Sequence, residues 1–100
     1  MKFAIRNPSG NAIALLRTAG YRFDRRTERG EMSFVRPLAG RGNFPRFHIY
    51  ASEEIGSLRI SIHLDAKRET YGRQTRHHGE YENEGILAEE VARLKRLWGV

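Results

Sequence analysis

The chain carries four histidines, His48, His63, His77 and His78, and two of them stand two residues before a carboxylate, as His63-Leu64-Asp65 and His78-Gly79-Glu80. Positions two apart share one side of an extended strand, so an imidazole and a carboxylate at 63 and 65 can act together there. Neutral imidazoles and carboxylates are ligands for zinc or another divalent ion. His63, His78 and Glu80 are one candidate ligand set. The same residue types serve phosphodiester cleavage without a metal. His48 or His63 would be general base and acid, Asp65 would favour a protonated imidazole nearby, and Arg46 or Arg59 would meet the charge developing on phosphorus. A third reading needs no reactive group at all. Arg41, Arg46, Arg59, Arg73 and Arg76 can contact phosphates while Tyr50 stacks on a base. The blandest reading is a solvated sheet face, where polar, histidine and tyrosine side chains are at home.

Charge favours a polyanion as the partner. The 100 residues carry a formal net charge of +6, with 15 Arg against 3 Lys. Each phosphate contact by such a cation releases condensed counterions. The excess is concentrated early: residues 1–50 hold ten Lys or Arg and three acids, residues 80–100 three and five. The arginine bias also fits a GC-rich or heat-adapted genome. There is no cysteine, which excludes disulfides, thiol nucleophiles and thiolate metal sites and fits a cytoplasmic setting. The longest apolar runs, such as Ile13-Ala14-Leu15-Leu16, fall far short of the ~20 residues of a membrane helix. The opening residues do not form the apolar stretch of a signal peptide. Neither Gly-x-Ser-x-Gly nor Gly-x-x-x-x-Gly-Lys occurs, so serine-hydrolase and NTPase chemistry have no motif here.

One hundred residues make a single domain with one core, spanning 1–100. Ser9 is the expected cap of a first helix reaching Ala19, with Ile13, Leu16 and Ala19 on its buried stripe and Gly20 as its stop. From Tyr21 the apolar period becomes two, and Tyr21 to Val35 reads as a β-hairpin turning at Thr27-Glu28-Arg29-Gly30. Pro37 ends its second strand, and 38–43 form a basic loop. A third strand covers Arg46 to Ala51, Ser52 to Ser57 make a turn, and a fourth strand sets Leu58, Ile60, Ile62 and Leu64 on one face with Arg59, Ser61, His63 and Asp65 on the other. Matching the apolar faces requires opposed residue numbers to sum to an odd value, and that turn suggests 109, which opposes His48 to Ser61 and His63 to Arg46. Residues from about 66 to 84 read as a long polar loop with few anchoring side chains. A last helix over about Ile86 to Trp98 buries Leu87, Val91, Leu94 and Trp98.

The expected fold is therefore an α+β two-layer sandwich in the order α-β-β-β-β-α, a four-stranded antiparallel sheet with both helices on one face and the other face wet. The segment Ala12-Ile13-Ala14-Leu15-Leu16-Arg17-Thr18-Ala19-Gly20-Tyr21 with its basic hairpin resembles the opening of the HicA-type toxins, α/β proteins of double-stranded-RNA-binding-like architecture that cut messenger RNA. Those toxins carry a Gly-Ser-His stretch on the hairpin. Here it reads Arg25-Arg26-Thr27-Glu28-Arg29-Gly30-Glu31, so their catalytic histidine is not carried over. Pro45-Arg46-Phe47-His48-Ile49-Tyr50, His63-Leu64-Asp65-x-Lys67 and Gly79-Glu80-Tyr81 resemble stretches of short uncharacterised bacterial proteins, a resemblance that implies no function. The leading expectation is a domain that binds RNA or another polyanion through its open sheet face and basic loops, with no cofactor. A histidine-based phosphodiester-cleaving enzyme using a divalent metal ion, and a protein-interaction module built on the long loop, are the alternatives.

Overall fold

A computed structural model describes residues 1–38, 44–66 and 76–100, with the side chains of 76–83 left aside. The described elements run β1 (Lys2–Arg6), α1 (Ala12–Thr18), β2 (Arg22–Arg26), β3 (Met32–Pro37), β4 (Arg46–Glu54), β5 (Ser57–Asp65) and α2 (Arg76–Trp98). The strands form one antiparallel sheet in the order β1-β5-β4-β3-β2. The α+β class and the two helices are as expected. The strand count is five rather than four.

The additional strand is β1. Phe3 and Ile5 alternate with Lys2, Ala4 and Arg6, and Ile5 is buried opposite Leu58. Five residues at the chain start give only two apolar beats, too few to establish a period before Asn7-Pro8 breaks it. The first helix also starts later than expected. Asn11, not Ser9, is its cap, and its side chain accepts from the Ala14 backbone N–H at 2.8 Å. The stripe turns accordingly: Ala12, Leu16 and Ala19 are buried, and Ile13 faces out. Gly20, at a φ of 95°, then lets the chain reverse into β2.

One face of the sheet is the core. Met32 and Phe34, Phe47, Ile49 and Ala51, and Leu58, Ile60 and Ile62 lie there against Leu16 of α1 and Leu94 of α2. Leu87, Val91 and Trp98 flank Leu94 on that side, which is the stripe expected of the last helix. Trp98 ties the two helices by donating from its indole N–H to the Leu15 carbonyl at 3.2 Å. α2 begins at Arg76, so the stretch read as loop to about 84 is helical over its latter part. The remainder of that stretch, 67–75, and most of the basic loop, 39–43, lie outside the described residues.

The β4–β5 register decides the geometry of the site. The strands run to Glu54 and Ser57 and are joined by Ile55 and Gly56 alone, with Gly56 at a φ of 75°. Opposed numbers therefore sum to 111, as in Glu54↔Ser57 and His48↔His63. The odd parity holds, because it follows from which face is apolar. The sum of 109 is corrected, because the turn consumes two residues rather than four.

Candidate functional site

The sheet's second face collects the polar members of each alternation. By register it carries Lys2, Ala4 and Arg6 on β1, Arg59, Ser61, His63 and Asp65 on β5, Arg46, His48 and Tyr50 on β4, Ser33 and Val35 on β3, and Arg22 and Arg25 on β2. This face is not uniformly wet. Ser33, Val35 and His48 are 0%, 1% and 5% exposed, so its centre is interior and its histidine is part of a buried polar network.

His48 is held at both ring nitrogens. Nδ1 lies 3.0 Å from Asp65 Oδ2 and Nε2 lies 2.7 Å from Ser33 Oγ. Asp65 also accepts from Arg46 Nε at 3.2 Å, and the Arg46 guanidinium lies 4.5 Å from the centre of the Phe44 ring. Ser33 in turn reaches Asp24 Oδ2 at 3.3 Å. Asp24 stands at the β-bulge where the β2–β3 register shifts between Phe23 and Arg25. Such a bulge re-aims the extra side chain, and here it supplies the far end of the chain Asp24, Ser33, His48, Asp65, Arg46. The order serine, imidazole, carboxylate is that of a hydrolase triad. Ser33 is fully enclosed, so no substrate reaches its hydroxyl in this conformation.

His63 lies on the more open side of this network. Its ring centre is 5.1 Å from that of His48 and 5.5 Å from that of Tyr50, and Tyr50 is 4.6 Å from His48. Burial, with the nearby His48 adding to it, lowers the His63 pKa and leaves this imidazole neutral at pH 7. For Asp65 burial acts to raise the pKa, but hydrogen bonds from His48 and Arg46 outweigh it and hold the carboxyl below its ordinary range. His48, His63 and Asp65 each present one possible ligand atom, all within 4.8 Å of one another. Beside them a groove of about 470 Å³ is lined by Lys2, Ala4, Tyr50, Ser52, Arg59 and Ser61. Glu31 and Glu54 line it too, and Arg59 pairs with Glu54 at 3.4 Å.

Several sequence-predicted site residues thus converge and others do not. His48, His63, Asp65, Arg46 and Tyr50 meet, with the two histidines directly opposed rather than diagonal. Arg46 is engaged by Asp65 and Phe44, so it positions the carboxylate instead of standing free for phosphate. Arg59 lies across the groove. Arg41 and Arg73 fall outside the described residues, while Arg76, His78 and Glu80 occupy the start of α2 with undescribed side chains. The structure adds Ser33 and Asp24, which sequence reasoning placed in the hairpin without a role. Ser33 carries one weak signal, a hydroxyl between the apolar Met32 and Phe34, while Asp24 depends on a bulge that no spacing announces. No helix among the described residues is long and apolar enough to cross a membrane. No family model matches the chain, and neither a curated protein nor a solved structure matches it.

Proposed function

We propose that the chain binds RNA, or another phosphate-bearing polyanion, across the second face of its sheet. The observation that supports this is the register. It places Lys2, Arg6, Arg22, Arg25 and Arg59 on one face, spread over three of the five strands, around the aromatic side chains Tyr50 and His63. Cations tracking a backbone beside rings that accept any base are the recurrent pattern of single-strand binding. The opening segment's resemblance to toxins that act on messenger RNA points the same way. Lys2 and Arg59 flank the groove and would contact phosphate, Tyr50 and His63 would meet a base, and Arg46 would keep Asp65 and His48 in place.

The test is retention of a labelled single-stranded RNA as salt is raised. Lys2→Ala combined with Arg59→Ala should lower the slope of log affinity against log salt by about 1.4, two contacts at ~0.7 each. The control of equal charge is Arg17→Ala with Arg96→Ala, two exposed helix positions. Equal loss from both pairs would mean that net charge, and not this face, retains the RNA.

A second reading, cleavage of a phosphodiester, is favoured by one feature: a half-exposed imidazole, His63, faces an imidazole whose orientation Asp65 fixes. His63 would be the catalytic residue, and His48 and Asp65 would position it. An RNA pool cleaved by the parent chain but left intact by His63→Gln, in chelator, supports that reading. An RNA pool left intact by both removes it.

A further inference from the structure

The geometry points to a divalent transition-metal site, of the zinc class, formed by His48, His63 and Asp65, with Ser33 and Asp24 setting the tautomer of His48. This inference is independent of polyanion binding, since the metal would be held whether or not RNA is present.

A hydrogen-bonded chain runs from Asp24 through Ser33 and His48 to Asp65. An ionised carboxylate only accepts, so the Ser33 hydroxyl directs its proton to Asp24 Oδ2. The Ser33 oxygen is then an acceptor for His48 Nε2–H, at 2.7 Å. With its proton on Nε2, a neutral imidazole carries a bare lone pair on Nδ1, and that lone pair faces a second acceptor, Asp65 Oδ2, at 3.0 Å. Two facing acceptors need a positive charge between them, which in the metal-free chain is a proton on Nδ1, through which His48 donates to Asp65. A metal ion supplies that charge in the proton's place while leaving the Ser33–Asp24 arrangement intact. This is also the usual dress of a metal-bound histidine, whose second nitrogen donates to a fixed acceptor that locks the ring. Arg46 does the same for the carboxylate from its other side.

His63 completes the set. Three donors on a tetrahedral ion at ~2.0–2.1 Å lie roughly 3.3–3.4 Å apart. The three ligand atoms lie within 4.8 Å, and His48 and Asp65 are already closer than that. The remaining contraction falls on His63, a half-buried side chain. Three protein ligands leave a coordination position for water or an incoming anion. Soft thiolate ligands are absent, and two imidazoles with one carboxylate suit zinc, iron(II) or cobalt(II) better than magnesium or calcium.

The experiment uses the full chain and zinc chloride, followed by competition with a chromophoric chelator and by thermal unfolding, with cobalt(II) absorption reporting the ligand geometry. One equivalent should bind, and zinc should raise the unfolding midpoint. Asp65→Asn and His63→Gln should each abolish both effects, and Ser33→Ala and Asp24→Asn should weaken binding by about 10–100-fold through the lost support. Circular dichroism of each variant separates lost binding from lost fold, and His63→Gln, half-buried and with neither ring nitrogen hydrogen-bonded among the described residues, is the variant that keeps the test decisive. His77→Ala with His78→Ala should leave binding unchanged. Zinc binding that survives His63→Gln and Asp65→Asn, binding that disappears with the His77/His78 pair, or no midpoint shift in the parent chain would each overturn the site.

Discussion

Glu90 and Asp65 each gather donors from elements far apart in the sequence, yet the first set closes on itself and the second opens toward solvent. Glu90 on α2 is 4% exposed and accepts from Tyr21 at 2.7 Å and from Arg93 at 2.8 and 2.9 Å, with Arg36 at 3.5 Å. Arg93 goes on to donate to the Ala19 carbonyl at 2.8 Å. Apart from the Arg93–Glu90 pair within α2, these contacts join α2 to Ala19 at the end of α1, to Tyr21 and to Arg36 of β3. Burial and the hydrogen bond to Glu90 push the Tyr21 phenol far above its ordinary pKa, while Glu90 is held low and Arg93 high, so none of these three changes charge near neutrality. Around Asp65 the partners are an imidazole, an arginine on a phenylalanine ring and, two residues earlier on the same strand, a half-exposed second imidazole. A closed network fixes a fold. One that ends on an accessible ligand atom can take up something else.

The largest expected effect breaks the closed network. Glu90→Ala leaves two guanidinium groups and a phenol without their acceptor and should cost about 3–5 kcal/mol, read as a fall in the denaturant midpoint. Ser33→Ala, cutting the second network at its buried centre, should cost less, about 1–3 kcal/mol, because fewer groups lose a partner. A larger loss from Ser33→Ala than from Glu90→Ala would reverse the assignment of scaffold and site.

Acid acts on both networks in the same direction, since each carboxyl is held below its ordinary range. Burial acts to raise the Glu90 pKa, but the hydrogen bonds from Arg93 and Tyr21 win and hold it below the ordinary 4.5. The unfolded chain then binds the proton more readily than the folded one. Stability from Glu90 is present above about pH 4.5 and is lost as the pH falls through its folded value. Glu90→Gln should therefore flatten the acid limb of a stability profile below that pH, and an unchanged limb would show that Glu90 is not tightly paired. The smallest effect is at the surface. Arg59→Ala removes only an exposed pair with Glu54 and should alter stability by less than about 0.5 kcal/mol, while lowering RNA retention.

Much of this architecture is legible in the sequence wherever a period runs long enough. β5 alternates over nine residues, and its apolar face, together with that of Phe47 and Ile49, determines which side of the sheet His48 and His63 share. What periodicity does not carry is the turn. Two residues at Ile55-Gly56 instead of four displace one strand by a residue pair, which moves His63 from opposite Arg46 to opposite His48. Ser33 and Asp24 are hidden for a related reason: their meeting is made by a bulge, a local departure from the pattern by which strands are recognised. β1 is hidden by its brevity, and the Glu90 cluster by distance, since Tyr21 and Glu90 are 69 residues apart.

The same bulge has a consequence for association. β2 is an outer strand, its described residues all exposed, and the outward row of peptide groups of such a strand is where sheets of separate molecules can join. The bulge at Asp24 interrupts that row, and Arg22, Arg25 and Arg26 would meet their own counterparts if a second copy approached it antiparallel. The irregularity that turns Asp24 toward Ser33 thus also guards the margin of the sheet against self-stacking.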